Sequence, residues 1–295
     1  MIARFSLRPI VSAALLLVLG LANSASALNN YPRNGYWITD GQVNAVARTA
    51  DTLYIGGNFQ NVAPYSGAAA LVDPTSGAVE PSFPVIKGTG VRAVLSDGAG
   101  GWYLGGSFTA VDDGAIQNLI HILPSGKLDP AFSFTFTGAL PGAPTGVFGM
   151  DLTPEGVLYI VGQFNSVDGE ARSNSASIDT TTGTLTSWAP ALTNYELYAV
   201  LAVGGVVYLQ GNAALAAVDA VTGVVQGLNT GVLGNMYAFA LSGSTLYIGA
   251  SGGLVAYDIN TDALTAWSPA PNGPVRALLV SGGTVYVGGD FTAIG

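Results

Sequence analysis

The stretch Leu53-Tyr54-Ile55-Gly56-Gly57 recurs with variations five more times along the 295-residue chain. In every copy a tyrosine is followed by a hydrophobic residue and by at least one glycine within the next two positions. The other copies are Trp102-Tyr103-Leu104-Gly105-Gly106, Leu158-Tyr159-Ile160-Val161-Gly162, Val207-Tyr208-Leu209-Gln210-Gly211, Leu246-Tyr247-Ile248-Gly249-Ala250 and Val285-Tyr286-Val287-Gly288-Gly289. The spacing of roughly 40 to 55 residues and the short apolar runs indicate a repeat built from β-strands.

A second recurring segment begins eleven or twelve residues before each tyrosine. Short turns rich in Gly, Asp and Ser join it to the tyrosine segment, which is typical of an antiparallel hairpin. Its third residue is always small: Ala45, Ala93, Gly149, Ala199, Ala238 and Ala277. A small residue suits the crowded innermost strand of a β-propeller blade. The period and the strand pattern therefore predict an all-β fold of the β-propeller type.

Third and fourth strands complete each repeat. The third strand ends in an Asp-x-x-Thr-Gly turn, best seen at Asp179–Gly183 and Asp219–Gly223. We expect the aspartate to accept hydrogen bonds from turn amides and the glycine to adopt a positive φ. The fourth strand carries a large apolar residue in each complete repeat: Phe83, Phe132, Trp188, Leu228 and Trp267. Each repeat thus predicts a blade of four antiparallel strands.

The repeats begin near residues 43, 91, 147, 197, 236 and 275. Five of them are complete, whereas the sixth stops at Gly295 after two strands. An open blade exposes unpaired strand edges, which soluble proteins avoid. We therefore expect an incomplete C-terminus and a closed ring of six or seven blades, with a naturally incomplete ring as the alternative.

These residues resemble a known repeat. The pattern Val-x-Ala, Tyr-Ile-Gly-Gly-x-Phe, Asp-x-x-Thr-Gly and Trp-x-Pro is similar to the bacterial delta-60-type β-propeller repeat. The shorter fourth and fifth copies, such as Leu254-Val255-Ala256-Tyr257-Asp258, also resemble repeats of pyrroloquinoline-quinone-type (PQQ-like) propellers. The resemblance implies an exported or surface protein, often a multidomain one, without an assigned chemistry.

The N-terminal segment has the features of a signal peptide. Arg4 and Arg8 provide a positive region, residues 10–22 are apolar, and Ala25-Ser26-Ala27 offers small residues for cleavage. We expect residues 1–27 to be removed and residues 28–295 to form the propeller. The apolar run is too short to span a bilayer comfortably, so we expect no membrane span. The predicted location is secreted, periplasmic or at the cell surface.

Composition limits the partners. The chain has 9 Lys and Arg against 18 Asp and Glu, a net charge of −9, and it contains no cysteine. Nucleic acids require clustered basic residues, so this balance argues against them. The absence of cysteine excludes disulfides within the chain. We expect a monomer that binds a protein or glycan ligand.

The second residue of each innermost strand varies where its neighbours do not. These six residues include two arginines and three aromatics: Asn44, Arg92, Phe148, Tyr198, Tyr237 and Arg276. If the first strand starts at the loop-rich face, they would ring one mouth of the central channel. Arginines can bind an anionic group while aromatic rings stack on a sugar. They are the predicted ligand-binding residues, with packing between blades as the alternative.

Carboxylates in the loops between strands two and three form a second candidate site. The residues are Asp112, Asp113, Asp168 and Glu170. They are weak candidates for a calcium site, or for the acid and base of a glycosidase or lyase. Solvated loop charge is the simpler interpretation.

No catalytic residue is assigned. His121 is the only histidine and alternates with apolar residues on a third strand, which favours a structural role. With one histidine and no cysteine, zinc and haem attachment sites are excluded. Gly56-Gly57 and the equivalent pairs are interpreted as strand glycines that allow close approach of neighbouring blades. We therefore predict no cofactor.

Three functions remain open. The preferred one is a secreted, non-catalytic binding module. The alternatives are a secreted enzyme, either a carboxylate-based glycosidase or lyase or a quinone-dependent oxidoreductase, and a structural spacer within a longer surface protein. A propeller hosts unrelated chemistries, so the fold does not choose among them.

Overall fold

The computed structural model describes residues 2–6, 37–40, 42–48, 52–58, 60, 62–73, 75–138, 144–192, 196–211, 214–226 and 235–295. This described part contains β-strands and turns and no helix, which confirms the predicted all-β class. The chain divides into two compact units, residues 1–87 and 88–295.

The first unit holds two small antiparallel sheets. Its strands are β1 (Ile2–Ser6), β2 (Trp37–Thr39), β3 (Gln42–Arg48), β4 (Thr52–Asn58) and β5 (Val62–Pro64). One sheet has the order β1-β4-β3, and β2 pairs with β5. Strand β1 therefore lies beside the tyrosine strand β4, where later repeats have their third strand.

Strand β1 belongs to the predicted signal peptide. Residues 7–36, with the cleavage site after Ala27, lie outside the described residues. Cleavage stays a prediction; it would remove β1 and leave that edge of β4 without its partner.

The second unit contains successive antiparallel sheets. Its strands are β6 (Ile86–Ser96), β7 (Trp102–Val111), β8 (Leu119–Ile122), β9 (Phe136–Thr137), β10 (Gly146–Leu152), β11 (Val157–Gln163), β12 (Ser166–Val167), β13 (Glu170–Ala171), β14 (Ser175–Asp179), β15 (Thr184–Leu185), β16 (Leu197–Val203), β17 (Val206–Gly211), β18 (Ala214–Asp219), β19 (Val225–Gln226), β20 (Met236–Ser242), β21 (Thr245–Ala250), β22 (Gly253–Asp258), β23 (Ala263–Leu264), β24 (Val275–Ser281) and β25 (Thr284–Gly289).

Repeats three, four and five each form a four-stranded antiparallel blade. The strand orders are β10-β11-β14-β15, β16-β17-β18-β19 and β20-β21-β22-β23. Repeat two pairs β6, β7 and β8, and a single bridge between Ile122 and Leu128 stands for its fourth strand. The last repeat is the hairpin β24-β25. Strands β9, β12 and β13 form a small sheet of their own beside repeat three.

The core lies between consecutive blades. Tyr159 and Val161 of repeat three pack with Leu197, Val207 and other buried residues of repeat four. A similar cluster joins repeats two and three, and another joins repeats four and five. Each blade therefore buries its faces against its neighbours, which explains the near-continuous apolar character of the tyrosine strands.

The Asp-x-x-Thr-Gly turns have the predicted geometry. Asp219 Oδ1 accepts hydrogen bonds from the amides of Val221 and Thr222, at 3.0 and 2.7 Å. These bonds lower the pKa of the Asp219 carboxyl. Gly223 has φ +72°. Asp73, Asp179 and Asp258 accept the same pair of amides in their repeats.

The tyrosine of the repeat links neighbouring blades. Tyr159 packs edge-on against Trp188 of its own blade, with ring centroids 5.0 Å apart. Tyr159 Oη donates to the Ala220 carbonyl at 2.8 Å, and Trp188 Nε1 donates to the Asp219 carbonyl at 2.9 Å. Both acceptors lie in the third-strand turn of the next blade, so the tyrosine and the tryptophan act together as an interblade clamp.

Candidate ligand-binding surface

A β-bulge near the start of the innermost strand places the predicted ligand residues. In repeats one, three, four, five and six the pairing register skips one residue there. The skipped residues are Asn44, Phe148, Tyr198, Tyr237 and Arg276. A bulged residue has no partner in the ladder and its strand bends, which turns its side chain away from the regular pleat.

The second glycine of the repeat lies opposite this bulge. A Cβ atom at Gly162 would lie 2.0 Å from the Gly146 carbonyl oxygen, and one at Gly289 would lie 2.1 Å from the Pro274 oxygen. Gly57, Gly106 and Gly211 face backbone carbonyls equally closely. The first glycine has another role: a Cβ at Gly105 or Gly249 would meet a valine of the next repeat at 2.8 or 2.5 Å. Of the two glycines, it is the first, as seen at Gly105 and Gly249, that lies against the next blade.

Three of the predicted ligand residues form a continuous row, here named the aromatic row: Arg92, Phe148 and Tyr198. They come from the first strands of three consecutive blades, β6, β10 and β16. The Arg92 Cζ atom lies 4.7 Å from the Phe148 ring centroid. The rings of Phe148 and Tyr198 are nearly parallel, at 10°, with centroids 6.3 Å apart.

The aromatic row is partly exposed, and its two ends carry opposite charges. Arg92 is exposed, Phe148 is half-buried, and Tyr198 is 39% exposed. Tyr198 Oη donates to Glu196 Oε2 at 2.5 Å, so a carboxylate lies at this end of the row. The guanidinium of Arg92 lies at the other end. The row therefore presents a cation, two aromatic rings and a hydrogen-bonded carboxylate in sequence.

Tyr237 and Arg276 form a separate pair on the last two repeats. The Arg276 Cζ atom lies 4.9 Å from the Tyr237 ring centroid. Arg276 Nε also donates to Asp290 Oδ2 at 2.5 Å, and this bond raises the pKa of the guanidinium. The charge of Arg276 is thus already compensated. Asn44 belongs to the first unit, where its side chain is exposed.

The loop carboxylates have separate partners. Asp168 Oδ1 accepts the Thr135 amide at 2.7 Å. Glu170 binds the buried guanidinium of Arg172, with Nη2 to Oε2 at 2.9 Å. Asp112 and Asp168 both have φ near +50°, as expected for turn residues. These contacts support the simpler interpretation of loop charge for Asp168 and Glu170.

Within the described residues, no three His, Asp or Glu side chains lie close enough together to hold a metal ion. The calcium hypothesis for Asp112, Asp113, Asp168 and Glu170 therefore gains no support and stays a prediction.

His121 lies between two carboxylates. Its Nδ1 is 2.9 Å from Asp129 Oδ2, and its Nε2 is 3.1 Å from Asp97 Oδ2. The ring stacks on Tyr103 with centroids 4.5 Å apart, and Phe132 packs against its edge. Asp97 and Asp129 lie in turns at the other end of the strands from the aromatic row. The contacts are those of a packed, hydrogen-bonded structural histidine.

Sequence reasoning missed the acidic partners Glu196 and Asp290. A signal for Asp290 was present, because the residue after the tyrosine-strand motif is polar in all six copies: Asn58, Ser107, Gln163, Asn212, Ser251 and Asp290. Asn58 and Gln163 end strand two in repeats one and three, and Asp290 follows strand two in repeat six, where it binds the predicted ligand residue Arg276. Glu196, two residues before Tyr198, carried no such repeating signal.

Comparison with known proteins shows the fold. No protein-family model and no curated protein sequence matches the chain. Among solved structures, BamB from Moraxella catarrhalis is similar over 77% of this chain and 65% of its own, with 16% identity and a TM-score of 0.51. The extracellular domain of a protein described as a hybrid two-component system from B. thetaiotaomicron is similar over 76% of this chain and 29% of its own, with 14% identity and a TM-score of 0.51.

Both structures are β-propeller-like, so the chain is placed in the β-propeller class of folds. The chain spans less than two thirds of the length of each. In the described part of the chain, no helical segment has the length and hydropathy of a membrane span.

Proposed function

We propose that this chain is an extracytoplasmic, non-catalytic binding module that uses the aromatic row to bind a glycan or protein ligand. The observation that carries the proposal is the row itself. Three consecutive blades place Arg92, Phe148 and Tyr198 side by side, Phe148 and Tyr198 lie at bulges, and all three side chains remain partly exposed. Bulges that redirect side chains are typical of functional surfaces.

Aromatic and arginine side chains are also the residue types that contribute most to binding energy. Aromatic rings provide a large apolar area with few rotatable bonds, and arginine provides directed hydrogen-bond donors. The proposal includes export through the N-terminal signal, a monomeric state and delta-60-type repeats. The enzyme alternatives lack a specific favourable observation, since Asp168 and Glu170 bind other groups of the chain.

The test is binding by the protein exported with its own N-terminal segment and purified from the medium or periplasm. Glycan arrays and pull-downs identify ligands, and calorimetry measures their affinity. We expect the double variant Phe148→Ala, Tyr198→Ala to bind at least about tenfold more weakly, because it removes both ring faces.

Tyr286→Ala is the matched control. It removes an aromatic ring that is 57% exposed but lies outside the row, so binding should be retained. Circular dichroism establishes that each variant is folded. Unchanged affinity of a folded double variant would contradict the proposed function.

A further inference from the structure

We infer that the ligand of the aromatic row is an oligosaccharide in which a uronate sugar lies beside a neutral sugar, with Arg92 binding the uronate carboxylate. This inference rests on the proposed function and adds the chemical class of the ligand. It follows from three observations: the described residues give Arg92 no carboxylate partner, Arg92 contacts the Phe148 ring, and the two ends of the row carry opposite charges.

Arg92 is an exposed cation in an acidic protein. The chain carries a net charge of −9, and the described residues give Arg92 no carboxylate partner. Arg276 occupies the same position of its repeat, yet Asp290 binds it. Two arginines that are equivalent in sequence thus differ in structure: within the described residues Arg276 is paired with a carboxylate and Arg92 is not.

The Arg92 Cζ atom lies 4.7 Å from the Phe148 ring centroid, within the range of a cation–π contact. When a guanidinium lies flat on an aromatic ring, its N–H groups point outward in the guanidinium plane. The outward edge fits a carboxylate, which accepts two parallel hydrogen bonds from one guanidinium. Because the stack holds the guanidinium in place, less side-chain freedom is lost on binding.

The rest of the row favours an anionic sugar over an anion without a sugar ring. The Tyr198 ring beside Phe148 is 39% exposed, and the C–H-bearing face of a pyranose ring stacks on an exposed aromatic ring. A uronate sugar carries both groups on one pyranose ring: a C–H-bearing apolar face and a carboxylate. Glu196 at the far end repels a second carboxylate and can accept a hydroxyl hydrogen bond, so the neighbouring sugar is neutral.

The experiment compares charged and uncharged forms of the same oligosaccharide. The probes are a hyaluronan tetrasaccharide and a glucuronate-substituted xylo-oligosaccharide, each with its carboxyl-reduced form. Calorimetry at low and high salt gives the affinities. We expect at least one acidic probe to bind about tenfold more tightly than its reduced form, because a charge-assisted hydrogen-bond pair is lost on reduction.

Arg92→Gln should remove this tenfold preference, so that the acidic and the reduced form bind with equal affinity. Lys127→Gln, which removes an exposed cation from the turn at the other end of repeat two, should keep the preference. Arg276→Gln should have a smaller effect than Arg92→Gln because Asp290 already binds Arg276.

Each remaining outcome overturns the inference. Equal affinity for charged and reduced forms, with loss of binding on Phe148→Ala, would refute the uronate but leave the proposed function standing. Arg92-dependent binding of a hexaglutamate peptide, without binding of either acidic probe, would replace the glycan by an acidic protein segment. Binding of no probe would overturn the inference without deciding the proposed function, which the array tests separately.

Discussion

His121 shows, at the scale of single residues, how one polar side chain is accommodated inside a blade. In sequence it interrupts an apolar run on a third strand, and in the structure it bonds to Asp97 and Asp129 while stacking on Tyr103. The side chain of Asp97 is only 9% exposed, so its bond to the ring replaces hydration that burial removes. The cluster therefore stabilises repeat two.

The Asp97 carboxylate makes this stability depend on pH. Burial raises the pKa of Asp97, but hydrogen bonds from the Ala99 amide, the His121 ring and the Gly101 amide outweigh it, so the net pKa lies below the ordinary value of 3.8. A depressed carboxyl pKa contributes stability above the unfolded value. This stability is lost as the pH falls below about 4 and through the folded pKa.

We expect Asp97→Asn to lower the free energy of unfolding at pH 7 by about 1 to 3 kcal/mol, the range for a hydrogen bond to a charged group. The difference from the wild type should shrink below about pH 4, where the wild-type carboxyl becomes protonated. Urea unfolding at pH 7, 5 and 3 measures it. Glu155→Gln, at an exposed turn of the next blade, should change stability by less; a pH-independent effect of Asp97→Asn would contradict this account.

The hairpin of strands one and two is the element that connects folding with the candidate site. The second glycine of the tyrosine strand leaves room for the carbonyl group before the bulge, and the bulge directs the variable residue outward. Ala250 occupies this glycine position in repeat five, so that hairpin accommodates one methyl group. At the second glycine of the other repeats, an added methyl group would displace the backbone carbonyl that faces it.

We expect Gly162→Ala to fold but to lose about 1 to 3 kcal/mol, the usual cost of overpacking. Because the added methyl group pushes on the bulge that bears Phe148, the affinity for the ligand should also fall. Gly288→Ala is the control, since its Cβ would meet only Ala277 at 3.8 Å. Equal stability of the two variants in denaturant unfolding would rule out the glycine requirement.

Across the second unit, the interblade clamp and the apolar clusters make neighbouring blades depend on one another. Trp188 is 2% exposed and donates its indole N–H to the Asp219 carbonyl of the next blade. Trp267, at the same position of repeat five, is 38% exposed, and the described residues show no such bond for it. The two tryptophans therefore contribute differently despite their equivalent sequence positions.

We expect Trp188→Phe to lower the free energy of unfolding by about 1 to 3 kcal/mol, because it leaves the partly buried Asp219 carbonyl without its donor. Trp267→Phe should change it by less than about 0.5 kcal/mol, as surface substitutions usually do. Chemical unfolding followed by circular dichroism compares the two. A larger effect for Trp267 would contradict the clamp.

The sequence by itself determined the blades of this protein. The tyrosine strand, the small residue of the inner strand and the Asp-x-x-Thr-Gly turn are local requirements of strand packing and turn geometry, so they recur with the period of the fold and can be identified without coordinates. The sequence also singled out six variable residues, and five of them lie at the bulge, opposite a glycine in four repeats and opposite Ala250 in repeat five.

Only the tertiary structure decided which of those residues meet. Arg92, Phe148 and Tyr198 lie 50 or more residues apart in the chain and touch because three blades pack side by side. Arg92 and Arg276 look alike in sequence, yet Asp290 compensates one of them alone. Contacts between blades depend on packing over long sequence distances, and no local pattern encodes that distinction.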